Sequence, residues 1–178
     1  MVKDWISAGG HCNCPLILTI WIEEPAQQYF NEMRRSYFPA ERNYLAAHLT
    51  LFHALPDEKF IYDETKLLCQ TGKIFSVNAE SVVSIGNGTA IKTVSPVLNS
   101  IHQRCQALWW HKLTPQDKQK LWPHVTVQNK VDAGKAKDLK KQLNESFEPF
   151  TFHAVGLQLW RYLGGPWEPV DQFKFPEK

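Results

Sequence analysis

The chain has 178 residues, 43% hydrophobic and 21% charged, which is enough for one sizeable core or for two small lobes sharing one. Its formal charge of +2 excludes the general basic field with which a protein binds duplex nucleic acid indiscriminately, so a nucleic-acid partner must be held at a site. The first apolar run, Leu16 to Ile22, is too short to cross a bilayer and ends in Glu23-Glu24; no basic leader with a cleavage site precedes it.

The expectation is a cytoplasmic protein with no membrane association, whose cysteines (Cys12, Cys14, Cys69 and Cys105) are reduced thiols. Residues 1–14 read as an N-terminal tail and residues 15–178 as a single domain. The group His11 to Cys14 lacks a second ligand pair at finger-like spacing, so no structural metal is expected. The seven tryptophans read as core packing rather than as stacking platforms.

In chain order, "PLILTIWIEEP" is a buried strand. "PAQQYFNEMRRSYF" spaces Ala26, Tyr29, Phe30, Met33 and Tyr37 as a helix does, ending at Pro39. "HLTLFHAL" is a strand, followed by a short helix around Glu64 to Gln70. "KIFSVNAESVVSI" is extended, and "GNGTAIKTV" supplies a turn and another strand. Ser95-Pro96 starts a helix that runs to about Trp110, with Ser as the cap and Pro in the first turn. "TPQDKQKLWP" connects it, through one helical turn, to the strand "HVTVQNKV". "AGKAKDLKKQLNESF" is a basic amphipathic helix with a solvated face. The strands "FTFHAVGLQLWRY" and "WEPVDQFKF", joined by "LGGP", complete the chain.

This order repeats. His124 lies 76 positions after His48, and Phe150 lies 75 after Phe75. Each half has a preceding helix, a His-x-Thr strand, a helix, a strand, a glycine-containing turn and a strand. The pattern predicts an α+β protein of two pseudo-symmetric lobes of antiparallel sheet with outer helices, its two motif strands facing each other across a central groove.

Side chains two apart in a strand share a face. His48 and Thr50 therefore point together, as do His124 and Thr126, while Leu49, Leu51, Val125 and Val127 point to the core and fix the register. Two imidazoles flanking one point suit phosphodiester cleavage without a metal. The neutral ring takes a proton from the attacking oxygen, and the protonated ring gives one to the leaving oxygen. The threonine hydroxyls donate to the non-bridging phosphate oxygens. The same alternation puts Phe52 and Gln128 on the histidines' face. His102, His111 and His153 have no polar companion in a repeated frame and take ordinary surface or core roles.

With these motifs the chain resembles the 2H phosphoesterase superfamily, the group of the bacterial 2′-5′ RNA ligases and RNA 2′,3′-cyclic phosphodiesterases, which carries two His-x-Thr/Ser-x motifs on a bilobal fold. The resemblance covers the chain from about Pro15 onward, including "PLILTIWI" and the closing "LQLWRYLGGPWEPVDQFKF". It implies catalytic His48 and His124, phosphate-binding Thr50 and Thr126, and no cofactor. It also puts a tyrosine or similar residue near the groove, for which Tyr162, and next to it Arg161, are the candidates. Many RNA-acting members have an arginine soon after a motif; here Phe52-His53 and Gln128-Asn129-Lys130 stand instead, which leaves the substrate open.

The implied activity is the opening of a 2′,3′-cyclic phosphate at an RNA 3′ end or on a nucleotide, with reversible 2′-5′ RNA ligation by the same groups. The alternatives are a non-catalytic nucleotide or RNA-end binding protein, and a cyclic phosphodiesterase for a small non-RNA substrate such as ADP-ribose 1″,2″-cyclic phosphate. No obligate protein partner is evident. Pseudo-symmetry leaves the acid and the base unassigned.

Overall fold

Antiparallel pairing accounts for every strand of the protein in a computed structural model that describes residues 14–177. The expected tail, and the His11–Cys14 group apart from Cys14, lie outside the described residues. Cys14 is disulfide-bonded, which corrects the expectation of a reduced thiol there; Cys69 and Cys105 are free and buried. No described helix is long and apolar enough to cross a membrane.

The strands are β1 (Leu16–Ile22), β2 (Leu49–Leu55), β3 (Phe75–Ser84), β4 (Thr89–Val94), β5 (His124–Gln128), β6 (Phe150–Tyr162) and β7 (Trp167–Lys174). The helices are α1 (Glu24–Tyr37), α2 (Lys59–Thr71), α3 (Pro96–Trp109) and α4 (Ala133–Ser146). Local chemistry sets their ends. Pro25 sits in the first turn of α1 and its last turn carries Arg34 and Arg35, a charge order that suits the helix dipole. The Ser95 side chain caps α3 by accepting from the Leu98 amide, and Asp132 caps α4 through the Lys135 amide. Helix α2 begins earlier than expected, because Ile61 already joins Thr65, Leu68 and Cys69 on its buried face.

The sheet runs β1-β2-β5-β4-β3-β6-β7, and β1 returns to pair with β6. Two halves result. One holds β2, β1, β6 and β7; the other holds β5, β4, β3 and the Phe150–Ala154 part of β6. They are interleaved with respect to sequence. The β3–β4 hairpin, which comes after the first motif, pairs with the second motif strand β5. The β6–β7 hairpin, which comes after the second motif, reaches the first motif strand β2 through β1.

Helices are exchanged in the same sense. Helix α1 precedes β2 yet packs on β5, and its Phe30 meets Phe150 and Phe152. Helix α3 precedes β5 yet packs on β2, where Phe52 stacks on His102 and meets Trp109 edge-on. One continuous core runs under both halves. The tryptophans depart from expectation: of those described, Trp109 alone is buried, and the others are half-buried or exposed. Geometry requires both glycines of the β3–β4 connection. Gly86 turns the β3–β4 connection at φ 79°, and a Cβ on Gly88 would lie 2.1 Å from the Gln128 carbonyl oxygen.

Candidate active site

The two motif strands meet at one residue pair, Leu49 opposite Val125, antiparallel. In that register His48 lies across from Thr126 and Thr50 across from His124. Leu49 and Val125 are fully buried, so the alternate residues face the other way, and all four line one cavity of about 430 Å³.

Each imidazole is held identically. His48 Nδ1 lies 2.8 Å from the Ala46 carbonyl oxygen, and His124 Nδ1 lies 2.8 Å from the Trp122 carbonyl oxygen. A carbonyl only accepts, so Nδ1 carries the hydrogen in both rings and Nε2 is the nitrogen left for chemistry. An indole lies against each ring as well: Trp167 against His48, with centroids 4.5 Å apart, and Trp122 against His124 at 4.8 Å.

Helix α1 anchors both strands. Gln27 Nε2 donates to the Ala47 carbonyl, and the Ala47 amide donates to Asn31 Oδ1, fixing the residue before His48. One turn on, Arg34 donates 2.8 Å to the Thr126 carbonyl oxygen and 3.2 Å to Asn43 Oδ1. Arg34 is 4% exposed and forms no ion pair among the described residues. Its charge sits over the Phe38 ring, and burial pushes its pKa down to about 10.

Strand alternation fails at the same place in both motifs. Thr19 pairs with Thr50 and Leu18 with Phe52, so Leu51 is an extra residue in β2. Ala90 pairs with Thr126 and Thr89 with Gln128, so Val127 is an extra residue in β5. Each bulge falls just after the threonine and reverses the parity of the residues beyond it. That corrects the expectation for Phe52 and Gln128. Phe52 is 0% exposed and packs in the core, and Gln128 is buried with Oε1 unpartnered. Neither lines the cavity.

The first bulge delivers His53 instead. It lines the cavity, with its side chain 49% exposed. The buried Asp117 carboxylate accepts from the His53 amide at 2.8 Å and the Ala54 amide at 2.9 Å, and stands 3.4 Å from His53 Nδ1. Burial alone would raise the Asp117 pKa; the hydrogen bonds from His53 and Ala54 outweigh it and hold the carboxyl below its ordinary range. His102 and Lys120 also line the cavity, so four of the chain's seven histidines converge there. The sequence signal for His53 was its position in "HLTLFH"; the bulge that turns it inward had none.

The remaining candidates lie elsewhere. Arg161 is bound by Asp57 at 2.9 Å and Glu168 at 2.6 Å, and neither it nor Tyr162 lines the cavity. His153 faces Glu23 at 3.0 Å, outside the groove. Among the described residues no cluster of three or more His, Cys, Asp and Glu is arranged to hold a metal ion.

The histidines differ electrostatically. Burial pushes the His48 pKa down to about 4, with the charges of Arg34, His53 and His124 adding to it and the Ala46 hydrogen bond opposing. The His124 pKa is also lowered, by burial and then His53, against the Trp122 hydrogen bond. At neutral pH His48 is a free base.

The sequence profile of the 2′-5′ RNA ligase superfamily matches residues 22–166. No curated protein sequence matches significantly. Among solved structures, TT0787 of Thermus thermophilus superposes with a TM-score of 0.62 at 12% identity, over 90% of this chain and 97% of its own. E. coli LigT complexed with 3′-AMP gives 0.60 at 14% identity, over 92% and 99% respectively. A structure described as a phosphoesterase gives 0.59 at 14% identity, over 93% and 99%. At these identities the likeness is one of fold.

Proposed function

Because the chain belongs to the 2′-5′ RNA ligase superfamily, we propose that it is a metal-independent phosphodiesterase opening a 2′,3′-cyclic phosphate at an RNA end or on a nucleotide. The observation that carries this reading is the pairing at Leu49 and Val125, from which two imidazoles and two hydroxyls open onto one cavity. Water attacks phosphorus, and Nε2 of His48, the ring with the pKa near 4, takes its proton. The P–O3′ bond breaks as His124, as the imidazolium that the bound phosphate anion favours, keeps Nδ1–H on the Trp122 carbonyl and gives its Nε2 proton to the leaving oxygen, leaving a 2′-phosphate. Thr50 and Thr126 donate to the non-bridging oxygens, where charge is held in the transition state. The Lys120 side chain lines the same cavity and supplies a cation to the phosphate. Joining of a 2′-5′ linkage follows the same path with an RNA 5′-hydroxyl in place of water: the P–O5′ bond forms, the P–O3′ bond breaks, and the same two histidines move the protons.

Turnover of a 2′,3′-cyclic mononucleotide and of a cyclic-phosphate-ended oligonucleotide, with EDTA present, tests this. His48→Ala and His124→Ala are each expected to reduce kcat by roughly 10²–10⁴-fold. Wild-type turnover that survives either substitution, or that stops with EDTA, overturns the mechanism. E. coli LigT is described in complex with 3′-AMP and with ATP, which keeps nucleotide binding without turnover as a second reading; tight binding with no product would favour it. Preference for a small cyclic phosphate such as ADP-ribose 1″,2″-cyclic phosphate over the oligonucleotide would redirect the substrate.

A further inference from the structure

The cavity at the motif strands has more room than one phosphate fills at His48, Thr50, His124 and Thr126. Much of the remaining lining lies outside the duplicated motifs. The connector 114–120 supplies Gln116, Asp117, Gln119 and Lys120, while His53 comes from β2 and His102 from α3. This wall is held in place. The Asp117 amide donates 3.2 Å to Thr114 Oγ1, and the Thr114 hydroxyl donates 3.2 Å to Asp117 Oδ2. Gln106 of α3 donates to the Asp117 and Gln119 carbonyl oxygens at 3.0 and 3.1 Å.

Among the described residues Asp117 is the one carboxylate in this lining, and its charge is spent on the protein. Its oxygens accept from the His53 and Ala54 amides and from Thr114, and its side chain is 1% exposed. The groups left for the cavity are donors. Lys112 pairs with Glu58 at 2.9 Å and Lys118 lies over the Trp110 ring, whereas Lys120 has no ion pair among the described residues. His102 is 3% exposed and stacked on Phe52, and its ring nitrogens have no hydrogen-bond partner among the described residues. His53 turns Nδ1 to Asp117, which leaves Nε2 for the cavity. An ammonium without a counter-ion, a buried imidazole without a partner and an imidazole backed by a carboxylate together suit an anion.

We propose that this wall, centred on His53, His102 and Lys120, is a second anion subsite, taking a further phosphoryl group of the substrate whose reacting phosphorus sits between His48 and His124; the inference rests on the phosphodiester reading above. With that anion bound, His53 stands between two negative groups as an imidazolium, giving Nδ1–H to Asp117 and Nε2–H to the anion. Lys120 supplies charge to both phosphates, and His102 and the Gln116 amide complete the donor set. The substrate therefore carries two phosphoryl groups. The second is either a terminal phosphomonoester or the next phosphodiester of a chain.

Calorimetric titration of the full chain with adenosine 2′-monophosphate and adenosine 2′,5′-bisphosphate tests the subsite separately from turnover. The two share base, sugar and 2′-phosphate, so the ratio of their affinities isolates the second anion. The bisphosphate is expected to bind about ten-fold or more tightly. His53→Ala keeps the backbone amide that holds Asp117 and should cut the ratio to about three-fold or less. Gln116→Lys, at an exposed position, should raise it, and carries the test should the Tm show that His53→Ala fails to fold. A dinucleotide ending in a 2′-phosphate and lacking a 5′-phosphate separates the two sources: weakening by His53→Ala assigns the subsite to a chain phosphodiester, and indifference to it assigns a terminal phosphate. A wild-type ratio near one, or a ratio that neither substitution moves, overturns the proposal. A ten-fold ratio with no turnover of any cyclic phosphate would instead sink the hydrolytic reading and leave the subsite standing.

Discussion

Around His48 and around His124 the backbone does the same things in the same order. Each ring is tied by Nδ1 to the carbonyl two residues back, each histidine is followed by a buried aliphatic residue and a threonine, and each strand then bulges. Past the bulge the copies part. The first delivers His53 into the groove against buried Asp117, whereas Asn129, its counterpart in the second, does not line the cavity, and its Oδ1 accepts from the Lys130 amide at a positive-φ turn. The duplicated backbone presents two equivalent imidazoles; the unduplicated surroundings give them different proton affinities.

The threonines sharpen the comparison most strongly. Thr50→Val and Thr126→Val each remove a hydroxyl proposed to donate to phosphate and are expected to lower kcat by roughly 10²-fold, measured on a cyclic mononucleotide. Unequal losses would show that the phosphorus sits off the pseudo-axis.

Asp117→Asn breaks the side that is not duplicated. An amide cannot accept at both oxygens from the His53 and Ala54 amides, so the variant should lose about 1–3 kcal/mol of stability in a denaturant titration. An unchanged midpoint would mean the carboxylate does not hold the strand.

The smallest effect comes from Arg34. Its positive charge disfavours protonation of His48, so Arg34→Met should raise the His48 pKa and move the acid limb of kcat/KM to higher pH. A stationary limb would remove His48 from the role of base. The same depressed pKa has a sign for stability. Protonating His48 costs more in the folded chain than in the unfolded one, so its favourable contribution is complete above about pH 6.5 and declines as pH falls toward 4. His48→Gln should flatten that stretch of the stability curve.

Much of this was legible in the residues. Alternation around each histidine was strong because Leu49 and Val125 had to be buried, and it gave the shared face of the four site side chains. It failed two positions later because a bulge has no residue signature in "TLFH" or "TVQN", and so Phe52 and His53 exchanged faces. Arg161 and Tyr162 depart from expectation for another reason. They close the β6 strand as the pattern predicts, but the groove ends before them, and Asp57 and Glu168 claim the guanidinium. The indoles depart because hydrophobicity alone does not separate a core tryptophan from one lining a cleft.

The interleaving of the halves also governs when the site comes into being. Its contacts join residues far apart in the chain: Arg34 to Thr126 across 92 positions, His53 to Asp117 across 64, Trp160 to Thr19 across 141. Chain closures of that length are made late and slowly. Neither half contains a complete neighbourhood for its own histidine, so a nascent or truncated polypeptide holds no rudimentary activity, and in refolding experiments competence for turnover should return only with the slowest phase.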